Sequence, residues 1–196
     1  GSILQASNSV YAEGMVVPQR LIITKVENNG VSGTQTLSFD YTYTKGGTHA
    51  YDFLAAVNPS LNLPGGFIQG ITGNPVYVPG ISELNACDNL TGPDLTACTA
   101  LIATTPILVP IPNDPFDSKD SAPGVGTGSS QTAKELAFES AYGSRYITVY
   151  TSNPAAFTSP SISLAHDPVG ADSDTGDSDT IVTMTFDSGS ECGDGK

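Results

Sequence analysis

Basic residues are scarce in this sequence: lysine and arginine total 7 against 20 aspartates and glutamates, a formal net charge of −13. A surface field of that sign repels a phosphate backbone and an anionic bilayer, which makes nucleic acid and charged membranes poor partners. Long apolar runs are missing too. No stretch is apolar for the ~20 residues a membrane helix needs, and no basic-then-apolar leader opens the chain, so membrane insertion is not expected. Tryptophan is absent, which weakens a sugar-stacking role. There is no zinc signature, phosphate-cradling loop, dinucleotide glycine fingerprint or Gly-x-Ser-x-Gly elbow. Histidine is limited to His49 and His166, and a hydrolase needs a nucleophile beside one of them. Serines are so abundant that such a neighbour carries little information, and the chain reads as a non-enzyme.

What is present describes a class of object. A chain of 196 residues can close one good hydrophobic core, and no break in composition divides it, so residues 1–196 read as one domain. Cys87 and Cys98 flank a polar, turn-rich stretch, Asp88 to Asp94, that does not hold itself in one shape. A disulfide there is expected, and closing a loop of that size stabilises by roughly 2–3 kcal/mol. The spacing does not suit zinc or a thioredoxin-type motif. Cys192 is left over and points outward from the chain, to a free thiol or a partner elsewhere. The high Gly, Ser, Thr and Asn content and the disulfide agree with a secreted, extracellular or cell-surface protein, either mature or cut from a longer one. Asn89-Leu90-Thr91 is an acceptor triplet for N-glycosylation where the source glycosylates.

Period-two alternation is the dominant pattern. Arg20 to Val26 reads as a strand, and Thr36 to Thr44 follows a turn, with Leu37, Phe39, Tyr41 and Tyr43 on one face and Ser38, Asp40, Thr42 and Thr44 on the other. Together they predict a hairpin with an aromatic core face. Tyr146 to Thr151, Ser161 to Leu164 and Thr180 to Phe186 complete the strand set. Thr48 to Val57 predicts a short helix capped by Thr48, while Lys134 to Tyr142 fits helix and strand equally. Residues 58–130 carry too many prolines and glycines for long elements, and runs such as Val76-Tyr77-Val78 and Ile107-Leu108-Val109 are edge strands or extended loop. The economical architecture is mainly β: an antiparallel β-sandwich with a long loop insert at about 58–130 and one or two short helices.

The acidic residues are not evenly spread. Asp172, Asp174, Asp177 and Asp179 recur among Ser, Thr and Gly directly before the last strand, a spacing that can turn several oxygens towards one hard cation. Calcium tolerates such irregular oxygen cages, although the loop lacks the closing glutamate and flanking helices of an EF-hand. Asp114, Asp117 and Asp120 form a second, weaker set, because Lys119 lies within it. If both loops meet at one end of the sandwich they can share an ion. The alternative in each case is a solvated acidic loop. Lys25 and Lys45 are candidate donors of an internal isopeptide crosslink, against the simpler picture of snorkelling lysines.

Three stretches, Val17 to Ile23, Tyr43 to Leu54 and Pro110 to Pro115, together resemble a module of large secreted and cell-surface bacterial proteins. Its pattern is a Val-Pro-x-Arg strand, a Lys-Gly-Gly-x-His-Ala turn into a helix, a cysteine-containing insert and a proline-rich segment. The resemblance implies an extracellular β-sandwich and carries no activity over to particular residues. It also implies a further apolar strand with a Gly-Gly-His ending, which does not follow Gly193-Asp194-Gly195-Lys196. A sheet lacking a strand can accept one from a neighbouring copy, with Ser2 to Val10 as the natural donor, and so build a homopolymer. The expected function is a non-enzymatic extracellular structural domain, a calcium-stabilised filament or adhesin subunit that meets other copies, surface proteins or glycans. The other class of reading is a calcium-assisted carbohydrate-binding module, with Tyr11, Tyr77, Tyr142 and Tyr150 as stacking faces.

Overall fold

The computed structural model describes residues 19, 21–23, 33–45, 48–51, 53–55, 67–69, 75–77, 87, 90–114, 133–167 and 177–188. In chain order the elements are β1 (Gly33–Lys45), β2 (Thr48–His49), β3 (Phe67–Gln69), β4 (Pro75–Tyr77), α1 (Gly92–Ile102), β5 (Ile107–Pro110), α2 (Ala133–Tyr142), β6 (Tyr146–Val149), β7 (Phe157–Asp167) and β8 (Ser178–Ser188). The fold is mainly β, and every sheet is antiparallel. One four-stranded sheet has the order β2-β1-β8-β7, and β3-β4 and β5-β6 form two-stranded ribbons. Among the described residues these do not close into two opposed sheets.

Alternation in three strands sorts the main sheet into two faces. Register sets Phe39 beside Val182 and Leu164, and Leu37 beside Met184 and Ile162. The next residue along each strand belongs to the other face, where Ser38, Thr183 and Ser163 form a row. Hydroxyls on that polar face meet across strands, Ser38 with Thr183 at 3.3 Å and Ser161 with Thr185 at 2.8 Å. On the apolar face Tyr43, Val182 and Met184 are buried, and each such burial contributes about 1.5–3 kcal/mol. Cover is uneven: Leu37, Ile162 and Leu164 are only half-buried, and Phe39 is exposed. The core therefore sits towards the Tyr43 end of the sheet, where β5 lies against β7.

A bulge fixes that end. Thr42 stands opposite Asp179 but Thr44 opposite Ser178, so β1 spends an extra residue there. The step buries both Tyr43 and Thr44, and the Thr44 and Ser178 hydroxyls share a bond of 2.7 Å. The Tyr43 ring lies against His166, centroids 4.8 Å apart.

Two expectations change, a third lies largely outside the described residues, and an open choice resolves. Thr48 to Val57 is not a helix at its start: Thr48 and His49 pair back on Lys45 and Thr44, which leaves Gly46-Gly47 between the paired residues. Pairing in the ladder holds Thr48 and His49 extended, so Thr48 does not open a helical turn. Leu21 to Ile23 lies outside any strand with its side chains exposed, and β1 takes β8 as its long partner; Arg20 and residues 24–26 of the predicted hairpin lie outside the described residues. The cysteine loop is helical from Gly92, with Pro93 in the first turn and Asp94 favourably placed at the positive end of the helix. Lys134 to Tyr142 resolves as helix, α2.

Candidate functional site

The most demanding chemistry is buried, between α2, the approach to β6 and the apolar face of the main sheet. Helical spacing puts Glu135, Phe138 and Glu139 on one side of α2. Gly143, at φ +89, then turns the chain in a conformation that side chains rarely adopt, and Arg145 swings back beneath the helix. The Arg145 side chain is fully buried and its fork is well filled. Nη2 lies 2.8 Å from Glu135 Oε1 and donates to Asn113 Oδ1 at 3.1 Å and to the Pro112 carbonyl at 3.4 Å. Nη1 donates to the Leu54 carbonyl at 3.1 Å, and Nε to Glu139 Oε1 at 3.0 Å. The guanidinium also lies 5.7 Å from the centre of the Phe53 ring. One side chain thereby joins residues 53–54, 112–113 and α2, and the Ile111 N–H donates to the Arg145 carbonyl.

The cluster continues towards the sheet. The Asp114 N–H donates to Glu135 Oε1 at 3.4 Å, and Asp114 Oδ2 lies 2.9 Å from His166 Nε2. Thr180 Oγ1 approaches the same ring nitrogen at 3.1 Å. A nucleophile relay needs hydroxyl and carboxylate on opposite ring nitrogens, and here both meet Nε2, with all three residues buried. The geometry anchors the segment before residue 115 to β7 and β8; it does not activate Thr180.

The carboxylates expected to hold a cation are distributed as follows. Asp172, Asp174, Asp117 and Asp120 lie outside the described residues, as do Cys192, Tyr11, Lys25 and the Ser2 to Val10 segment. Asp114 is buried against His166. Asp177 pairs with Lys45, both side chains 57% exposed. Hydrogen bonding to Asp177 and then the charges of Asp177 and Asp179 raise the Lys45 pKa above its usual 10.5. A lysine so exposed and so held in its charged form is a poor isopeptide nucleophile. Asp179 stands directly opposite Asp167 on the polar face of the sheet, and the two share with Ser38, Phe39, Asp40 and Ile181 a surface cavity of about 260 Å³. Like charges directly opposite each other destabilise a strand pair, and a bound cation relieves this. Among the described residues, no group of three or more His, Cys, Asp and Glu side chains has metal-holding geometry.

Cys87 and Cys98 are joined, with sulfurs 2.14 Å apart. Cys98 is the buried residue of a helix otherwise mostly open to solvent, so the bond tethers α1 where packing does little. No helix among the described residues is long and apolar enough to cross a membrane. Sequence reading did not single out Arg145 or the two glutamates. The available signal was Glu135 and Glu139 one turn apart around Phe138, with an arginine just past a glycine.

Comparison with protein-family models, with curated proteins and with solved structures finds no match to this chain.

Proposed function

We propose that the chain is a non-enzymatic extracellular structural domain of sandwich type, a subunit of a calcium-stabilised filament or adhesin. The observation that carries this reading is β7, eleven residues long and paired on one side only among the described residues, at the margin of a sheet whose apolar face is half covered. Natural proteins blunt long edges of this kind unless another chain uses them. The disulfide-tethered helix supports an oxidising, non-cytoplasmic setting. The Asp167 and Asp179 pair supports a role for a divalent cation at the end of the sheet that leads into the acidic stretch at 172–177. Sedimentation and electron microscopy of the purified chain, with calcium and with chelator, test the proposal. Cation-dependent polymers are expected, and a chain that stays monomeric at high concentration in both conditions overturns it.

The cavity beside Asp40, Asp167 and Asp179 favours a second reading, a calcium-assisted carbohydrate-binding module, because carboxylates and hydroxyls beside an aromatic residue are a sugar-binding lining. Glycan-array binding that is lost on chelation, by a monomeric chain, selects it.

A further inference from the structure

Helix α1 is held unevenly along its length. Its eleven residues fall short of the roughly 12–15 below which an isolated helix is marginal in water, so its order has to come from outside. Pro93 and Asp94 favour a helix start but bury nothing: Thr91 to Ala97 are all exposed, and Cys98 is the first buried residue. The Thr91 hydroxyl caps none of the open N–H groups of the first turn, and the Leu95 N–H reaches the Thr91 carbonyl at a long 3.4 Å. Thr96 and Thr99 turn their hydroxyls back on the Gly92 and Leu95 carbonyls, which slightly destabilises a helix. The other end is better held. Leu101 and Ile102 are half-buried, and the N–H and the hydroxyl of Thr104 both close on the Leu101 carbonyl, at 2.9 and 2.7 Å. The first two turns are fixed by the bond from Cys98 to Cys87, which is itself buried.

We infer that α1 is a redox-sensitive switch: opening the Cys87–Cys98 bond melts its first two turns, Gly92 to Cys98, while its last turn and the main sheet stay folded. The reductant is a dithiol, the class that keeps thiols reduced where disulfides do not persist. One of its thiolates attacks Cys98 Sγ, the S–S bond breaks, and Cys87 leaves as a thiolate. Its second thiol then attacks the reductant sulfur of the mixed disulfide, which closes the reductant's own disulfide and releases Cys98. Two electrons pass from the dithiol to the cystine, and its two protons end on Cys87 and Cys98. Cys98 is the less buried of the pair, 9% exposed against 3%, and fraying of the exposed turns before it uncovers its sulfur by a local opening. β1, β7 and β8 take their ladder bonds from one another, so the main sheet keeps its hydrogen bonds when these turns melt. The switch is independent of the assembly and cation readings. It gives the fold two states, closed in an oxidising setting and open in a reducing one.

The test uses the full chain with Cys192→Ser, which leaves Cys87 and Cys98 as its cysteines. Amide hydrogen exchange is followed residue by residue by NMR in native buffer, before and after reduction with dithiothreitol and again after reoxidation. Reduction is expected to speed exchange at Leu95 to Cys98 by about a hundredfold, the factor that closing a loop of this size supplies. Amides of β1 and β8 should stay within about twofold of the oxidised chain, and reoxidation should restore α1. Thr96→Ala with Thr99→Ala raises helix propensity, and in the reduced chain should slow exchange at the same amides by roughly fivefold to tenfold. A reduced chain whose α1 amides exchange as in the oxidised one overturns the inference, and so does loosening of β1 and β8 in step with α1. A bond that yields to dithiothreitol only in denaturant that unfolds the sheet overturns it as well, as does a reduced α1 indifferent to the alanine pair.

Discussion

Arg145→Met removes the cation at the centre of the buried cluster and keeps most of its volume. Glu135, whose side chain is fully buried, then loses an ion pair of 2.8 Å, and breaking a buried pair from one side typically destabilises by about 3–5 kcal/mol. The Leu54 and Pro112 carbonyls each lose a charged donor, adding on the order of 1 kcal/mol apiece before relaxation. Glu139 is 28% exposed and recovers solvation, so its share is under about 1 kcal/mol. A loss of about 5–7 kcal/mol before relaxation is expected, comparable to the ~5–15 kcal/mol that holds a domain of this kind together. Arg145→Lys keeps the charge and loses the fork, and should fall between the variant and the parent. The second arm is Glu135→Met with Arg145→Met: replacing both partners by apolar groups removes the orphaned charge, and should recover at least ~2 kcal/mol of what the single change lost. Urea unfolding followed by tyrosine emission and far-UV circular dichroism reads all three, there being no tryptophan. A single variant that loses less than about 1 kcal/mol, or a double variant no better than the single one, refutes the view that the cluster works by burial of a matched pair.

Three further outcomes are expected. Because the folded-state pKa of Lys45 is raised, its pairing with Asp177 contributes stability that is fully present below pH 10.5 and is lost as pH rises through the folded value. The stability difference between the parent and Asp177→Asn should therefore shrink above pH 10.5 in denaturant titrations, and a constant difference contradicts the pairing. Cys87→Ser with Cys98→Ser removes the tether of α1, and should lower stability by about 2–3 kcal/mol and reduce the helical dichroism signal; unchanged dichroism would show the helix to be self-supporting. Asp167→Asn relieves the like-charge pair with Asp179, and should stabilise the chelated protein by about 0.2–1 kcal/mol while reducing the shift in Tm produced by calcium. A calcium-induced shift of the same size as in the parent removes this pair from the cation proposal.

The sheet was legible because its information is local. Leu37 to Tyr43, Ile162 to Leu164 and Thr180 to Phe186 alternate whatever their partners are, and the faces they announce are those seen. Partner choice was less legible. Sequence proximity favoured the 20–26 stretch, but β8 reaches β1 from more than a hundred residues away. The cysteine loop hid a helix because Gly92, Pro93 and Asp94 are turn residues and helix-start residues alike, although Leu101 and Ile102, half-buried one turn beyond Cys98, carry the apolar spacing of an inward face. In α2 the inward stripe is Glu135, Phe138 and Glu139, so a search for apolar periodicity found Leu136 and Phe138 and read a strand as easily as a helix. Leu136 is in fact 53% exposed. The candidate site was illegible for the same reason: its inward residues are charged, and only the arginine six to ten residues downstream makes their burial tolerable.

That arginine also explains an apparent extravagance. A chain with 7 basic residues against 20 acidic ones places one cation where it cannot offset surface charge. The segments it joins, residues 53–54, 112–113 and α2, share no backbone ladder with one another, so something other than a sheet must satisfy their inward acceptors. A lysine brings three donors to a point, whereas the guanidinium spreads five over a plane, which matches two carboxylates, two carbonyls and an amide oxygen approaching from separate directions. The main sheet has no such dependence, because alternation and a continuous ladder hold it. Asp114 is the joint between the two regimes: its N–H meets Glu135 and its carboxylate meets His166 on β7. Loss of Arg145 should therefore loosen α2 and the 111–114 segment before it loosens β1 and β8, and the strand edge proposed for assembly would outlast the cluster that anchors the rest of the chain to it.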